Sequence, residues 1–493
     1  MEIFIMFSKS FSPVSKLRTD YKFLIKPTLI LSALYLVALS ALFRANHSYI
    51  DDVYRELWGM SGWGFSRYIP NILSVFVHAD RYLSDISPLT QVLAVFIIAL
   101  TGVISIHLIT EEKRISLWHL IAAIPIGLSP YFLQCLSYKY DSPYMALSVL
   151  FGVLPLLARK SHWAKYALSI AVCTVLMASA YQASSGISPM LVIIIGLQDW
   201  LKGEKLSDVL KFYGLSAAAY LAGLIFYNTF LVADYDAYAS TALAPLAELI
   251  PCAIANYKMY ADLMLSTFDI KWLLASGAIG ICFMVTAVYN SRQNRLLSAV
   301  LVILATIAMA LVSLGVYPFL LNPLNAPRAM YGIGCLIAFW GIFAISHPIK
   351  WNPAKFFCFV LSWMFFVFCF TYGNALDVQA DYTDFRIQAA IDDLDQCSAL
   401  QSAEPLDLKI TGSIGYAPAV DNLAKEFPMV EELILVMFEE DYFGEFSLKE
   451  HYGLPAFTYR VPTDEELANL PMIAESYYHT IYANDRIIWI DLH

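Results

Sequence analysis

The chain has 493 residues, 59% of them hydrophobic, and a mean hydropathy of +0.60, which excludes an ordinary soluble globular domain and puts most of its mass in lipid. Charged residues and aromatics each make up 15%, the balance of apolar helices that end in Tyr and Trp belts at the headgroups. The net charge of −10 is uneven: residues 376–493 hold 23 Asp and Glu against 6 Lys and Arg, which leaves +7 on the rest, and so acidic a tail excludes nucleic acid as its partner.

A basic N-terminal tail (Lys9, Lys16, Arg18, Lys22) precedes the first apolar run, 24–43, which no small-residue cleavage site follows. That run reads as a retained first helix rather than a signal peptide. Ten further runs of spanning character follow at 88–110, 115–136, 143–158, 166–181, 187–201, 212–232, 272–289, 296–316, 329–346 and 356–372, so about eleven transmembrane helices are predicted. Lys113 and Arg114, Arg159 and Lys160, Lys202 and Lys205, Arg292 and Arg295, and Lys350 and Lys355 fall in alternate connections, on the side of the N-terminal tail. The positive-inside rule makes that side the cytoplasm. An odd number of spans then places loops 45–87 and 233–270, and everything after the last span, outside. The expected organisation is a cytoplasmic tail 1–23, a membrane domain 24–374 and an outer α/β domain 375–493. Asp85-Ile-Ser87-Pro88, Asp141-Ser142-Pro143 and Ser188-Pro189 read as helix caps at the outer end, and capping is favoured over catalysis for Asp85 and Asp141.

In the tail, 378–394 reads as helix, 406–411 and 433–438 as buried strands, 464–470 as helix, and 479–492 as a hairpin turning at Ala483-Asn484-Asp485. Six cysteines (Cys135, Cys173, Cys282, Cys335, Cys358, Cys369) lie in apolar runs and read as small buried hydrophobes. Cys252 and Cys397 read as unpaired thiols, with a disulfide as the minor alternative. Nothing in the spacing demands a metal or other cofactor, and a divalent ion stays an open question.

The densest polar cluster near the membrane is Tyr49-Ile-Asp51-Asp52-Val-Tyr54-Arg55-Glu56, followed by Trp58-Gly59, Gly62-Trp63-Gly64 and Arg67. Paired carboxylates beside Arg can accept the proton of an attacking hydroxyl while the guanidinium holds a phosphate. The bland alternative, equally weighted on spacing alone, is that the two Asp start an interfacial helix and Arg55 pairs with them. A transporter or flippase is the rival class, but the middles of the spans are almost free of charge and no inverted repeat is present.

Tyr49-Ile-Asp51-Asp52-x-x-Arg55, with Gly59, Gly62-Trp63, Arg67 and Asp85-Ile-Ser-Pro-Leu-Thr-Gln91, resembles the Gtr type II family of O-antigen-modifying glucosyltransferases. Leu136-Ser-Tyr-Lys139-Tyr140-Asp141-Ser142, Tyr181-Gln182-Ala183-Ser184 and Arg328 before a Gly-containing span continue the resemblance. Two departures stand out: Phe65-Ser66 where Gly is expected before Arg67, and Gln134-Cys135 before the Leu-Ser-Tyr motif. The resemblance implies a GT-C-like multi-span fold in the bacterial inner membrane and an undecaprenyl-phosphate-linked hexose donor, such as glucose. It also implies a lipopolysaccharide O-antigen acceptor, and partner proteins that make and flip the donor. Asp51 or Asp52 would then be the base. Lys139 and Arg328, with Arg55 and Arg67 next, would meet the leaving phosphate, and Tyr140, Asp141 and Gln182 would complete the substrate contacts. The acidic domain is expected to hold the glycan through aromatics such as Tyr442, Phe443, Tyr477 and Tyr478.

Overall fold

The computed structural model describes residues 21–493 apart from 60, 61, 65, 233–241, 348, 351, 396, 398, 399, 401–404, 441, 455 and 459. Lys9, Lys16, Arg18, Phe65 and the start of loop 233–270 therefore lie outside the described residues. Every apolar run coincides with a helix or a helix pair. Among the described residues seven helices are long and apolar enough to cross a membrane: Leu89–Thr110, Trp163–Ala180, Gln182–Leu201, Leu206–Phe230, Ile270–Tyr289, Arg295–Val312 and Ala354–Leu394. An eighth span is made if Leu117–Leu128 and Pro130–Ser137, which meet at 58°, are counted together. The bend falls at Ser129-Pro130, where proline removes a helical N–H. The three remaining runs are carried by Ile25–Ala38 with Ser40–Ala45, by Ser142–Ala158 and by Gly332–Ser346, which are too short or broken to count by length.

The basic connections meet at one end of the bundle. Glu111 pairs with Arg159 at 3.4 Å, Lys160 at 2.9 Å and Lys202 at 2.9 Å, and the Arg292 N–H donates to the Leu201 carbonyl at 2.9 Å. At the other end, loop 45–87 carries helices Asp52–Trp58 and Tyr68–Val77, and the described part of loop 233–270 carries Leu249–Thr267.

The last long apolar helix runs on well past its apolar run, 356–372. Ala354–Leu394 is one helix of 41 residues, so the expected boundary at 375 falls inside it. Near its middle Gly373 lies against the backbone of Ala41 and Leu42, where a Cβ would come within 2.4 Å of the Leu42 nitrogen. Its far end joins a small sheet domain. Strands β1 (Leu406–Thr411), β2 (Phe457–Thr458), β3 (Met472–Glu475), β4 (His479–Ala483) and β5 (Ile487–Leu492) lie in the order β2-β1-β5-β4-β3. β1 runs parallel to both neighbours, and β4 is antiparallel to β3 and β5. Ile387, Ala390 and Leu394 of the helix pack on Leu408, Ile410, Ile488 and Ile490 of the sheet. Arg386 is buried there and donates to the carbonyls of Tyr478 at 2.7 Å and His493 at 2.8 Å.

Two expectations are corrected. Residues 433–438 are not a strand: helix Met429–Leu433 runs into an irregular stretch. The Leu433 carbonyl is taken by the hydroxyls of Tyr49 at 2.8 Å and Tyr372 at 3.4 Å, so side chains from the bundle replace a sheet ladder. The capping readings also fail, because Asp141, Gly186 and Pro88 stand at the N-cap positions and none gives a side-chain cap. Asp85 instead accepts from the Ser87 N–H at 2.7 Å. All eight cysteines are free thiols.

Candidate functional site

Asp51 and Asp52 are neighbours in sequence and part company at the start of helix Asp52–Trp58. Asp52 turns inward and is wholly buried. Its carboxylate accepts from the backbone N–H groups of Tyr49 at 3.1 Å, Lys139 at 2.8 Å and Tyr140 at 3.4 Å, tying the first loop to the 138–141 turn. Burial raises its carboxyl well above the usual range, only partly offset by those donors. Asp51 turns the other way, into a cavity of about 500 Å³. By accessible surface the residue is exposed, although protein atoms crowd round it. That enclosure, and then the Asp141 carboxylate, raise its pKa, against the pull of Arg55, Arg67 and Arg328.

Behind the cavity wall lies a layer of paired charges. Arg55 donates through Nε to Asp141 at 3.3 Å and stacks on Trp63, 4.1 Å from the ring centroid. The Trp63 indole N–H also donates to Asp141. Lys139, nearly buried, bonds Glu56 at 2.9 Å, Asp85 at 3.2 Å and Ser48 at 3.2 Å. Burial alone would lower its pKa, but the two carboxylates outweigh that and raise it. Tyr140 is buried and stacks on His78, with ring centroids 5.8 Å apart.

The wall itself is built from distant parts of the chain. Asp51, Arg67, Asp141, Gln182 and Arg328 line it; Asp52, Arg55, Lys139 and Tyr140 do not. The bent helix Pro130–Ser137 delivers Gln134, whose amide accepts from the Arg328 N–H at 2.8 Å and donates to the Tyr49 hydroxyl at 3.0 Å. The Arg328 guanidinium lies 5.6 Å from the Tyr138 ring centroid and that of Arg67 4.9 Å from Tyr181, aromatic faces that hold a cation without neutralising it. Arg328 forms no ion pair with a described residue. Gln182 donates to the Tyr227 hydroxyl at 3.0 Å. Ser66, standing where the resemblance expects glycine, has φ of +57°, the left-handed region that explains such a preference. Among the described residues no three His, Cys, Asp or Glu side chains gather as metal ligands.

Sequence reasoning did not single out Gln134, Tyr138, Tyr181 and Glu432 as wall residues, whereas Phe443 was among the aromatics expected to hold the glycan and does line the cavity. Gln134 did carry a signal, a lone amide in an apolar run. Glu432 and Leu435 come from the acidic domain and carried no signal: Leu435 falls in 433–438, which looked like a strand, and Glu432 is one carboxylate among many in that domain. Of the other aromatics considered there, Tyr477 is largely exposed, Tyr478 packs under Arg386 at 4.8 Å, and the side chain of Tyr442 lies outside the described residues.

The cavity adjoins two apolar spaces in the helix bundle. A second space of about 300 Å³ shares Gln182 and Leu320 with it and is otherwise mostly apolar, lined by Leu224, Ile225 and Phe319. That space shares Leu221 with an apolar groove of about 600 Å³ between helices Ile187–Leu201, Leu206–Phe230 and Arg295–Val312.

Residues 40–339 match the family model described as glucosyl transferase GtrII. The chain is also 23% identical over 417 residues to an uncharacterized 55.3 kDa protein in the gtrB 5′ region of Salmonella phage P22, covering 80% of this chain and 83% of the relative. No solved structure matches.

Proposed function

The chain belongs to the glucosyl transferase GtrII family, and from that premise we propose that it transfers a hexose, glucose first, from an undecaprenyl-phosphate-linked donor to lipopolysaccharide O-antigen at the periplasmic face of the bacterial inner membrane. All eleven apolar helices or helix pairs span the bilayer in a GT-C-like bundle, the basic end faces the cytoplasm with the N-terminus, and the domain 375–493 is periplasmic. The observation that carries this reading is that one cavity is lined by a carboxylate with a raised pKa, Asp51, and by two aromatic-backed arginines, Arg67 and Arg328. Through a smaller space it shares lining residues with an apolar groove that suits the start of an isoprenoid chain.

In this mechanism the donor phosphate sits against Arg328 and Arg67, with its tail in the groove. Asp51 accepts the proton of the acceptor hydroxyl as that oxygen attacks the anomeric carbon, and the bond to the lipid phosphate breaks with its electrons going to the phosphate oxygen. The arginines neutralise the charge that grows there. The displacement is a single inverting step. Gln182 contacts the donor, while Asp52, Arg55, Lys139, Tyr140 and Asp141 fix the wall. Partner membrane proteins make and flip the donor.

Expression of the protein together with donor-making and flipping partners tests the reading: each O-antigen repeat should gain the mass of one hexose at one linkage. Unchanged polysaccharide, with lipid-linked sugar moved across the bilayer, would instead point to a transporter.

A further inference from the structure

The acidic domain is more than a neighbour of the cavity. Helices Pro418–Glu426 and Met429–Leu433 send Val420, Ala424, Met429, Val430 and Leu433 into the same apolar cluster as the spans, and Phe427 stacks on Trp272 with centroids 6.3 Å apart. Met437, Phe446 and Phe443 pack on Val53, Tyr54 and Leu57 of the helix that begins with Asp52. The segment between these anchors closes the cavity with Glu432, Leu435 and Phe443. Gln134 also donates to the Glu432 carbonyl, at 3.5 Å, so the backbone positions of Glu432 and Arg328 are tied to one amide. The Glu432 side chain itself makes no hydrogen bond or ion pair with a described residue.

We infer that Glu432, with Leu435 and Phe443 beside it, is the subsite for the acceptor sugar and selects which polysaccharide residue is modified. The inference rests on the transfer reading above. A carboxylate repels the donor phosphate, so among the substrates it suits the neutral, polyhydroxylated one, whose hydroxyl pairs it can accept. An aromatic ring and a leucine beside it offer an apolar face to the C–H side of a pyranose. Asp51 lines the same 500 Å³, so a sugar held by Glu432 has the base within its own cavity. The segment lies outside residues 40–339, the stretch that carries Asp51, Arg67 and Arg328. Donor chemistry and acceptor choice are thus written in different parts of the chain.

The test is transfer by the purified full chain in lipid nanodiscs, with polyprenyl-phosphate glucose as donor and O-antigen polysaccharide as acceptor. Glu432→Gln should raise the acceptor KM about tenfold, the loss expected for a charged hydrogen bond to a hydroxyl, and Phe443→Ala should raise it through the lost stacking face, each with little change in donor KM. Glu432→Asp should recover part of the loss. Acceptors lacking single hydroxyls should discriminate less between wild type and Glu432→Gln at the hydroxyl that Glu432 holds. An unchanged acceptor KM, or donor and acceptor KM rising together, would overturn the subsite while wild-type transfer leaves the proposed function standing. No transfer by wild type at all would sink both.

Discussion

The cavity wall and the polar layer behind it use the same side chains to opposite ends. Both contain carboxylates and arginines, but behind the wall every charge has its partner: Arg55 has Asp141, Lys139 has Glu56 and Asp85, and Asp52 has three backbone N–H groups. On the wall, Arg328 rests on an aromatic face and Asp51 faces open space. A paired buried charge fixes geometry, and one left facing a cavity is available to a ligand. Residue type therefore says little about role here.

The contrast breaks most visibly if the two aspartates are exchanged in importance. Asp51→Asn should cut transfer about a thousandfold, within the range for loss of a general base, and leave thermal stability intact. An equal loss from the corresponding Asp52 variant, at unchanged stability, would erase the distinction. In the wild type, the ionised form of Asp51 is the one that accepts a proton, and its pKa is raised above the ordinary 3.8. Transfer should therefore fall on acidification at a higher pH than an ordinary carboxylate gives, as a pH–rate profile would reveal. Arg328→Ala comes next. It should raise the donor KM by about tenfold or more, as removal of a charged hydrogen-bond donor does, with the acceptor KM little moved; matched changes in both would return Arg328 to a structural role. The smallest effect on rate belongs to the layer behind. Asp52→Ala leaves three buried N–H groups without an acceptor and should cost about 3 kcal/mol, read as a lower unfolding midpoint, while transfer per folded molecule falls far less than in Asp51→Asn.

The sequence made the architecture largely legible and the site only half so. Apolar runs announce helices because lipid forces every backbone group to bond within its own segment, and the period-two pattern at 479–492 announces a hairpin that forms between β4 and β5. Asp51 and Asp52 could not be told apart, because what separates them is the backbone of Lys139 and Tyr140, 87 and 88 residues away along the chain from Asp52. Asp141 looked like a cap because its neighbours Ser142 and Pro143 suit a helix start, yet Arg55 and Trp63, both from the first loop, claim its carboxylate. Residues 433–438 looked like a strand because buried apolar character is the same whether the cover is a sheet or a bundle.

The unbroken helix Ala354–Leu394 makes the molecule a fixed gauge. At 1.5 Å per residue, 41 residues measure roughly 60 Å, about twice the hydrocarbon thickness of a bilayer. With its near end in the helix bundle and its far end in the core of the sheet domain, it sets the stand-off of that domain from the bundle and its rotational phase together. Each residue added to it would turn the domain by about 100° and lift it by 1.5 Å. Span and roof are thus cut to one length, and a change of stride in the shaft would be felt as a change of fit at the cavity mouth.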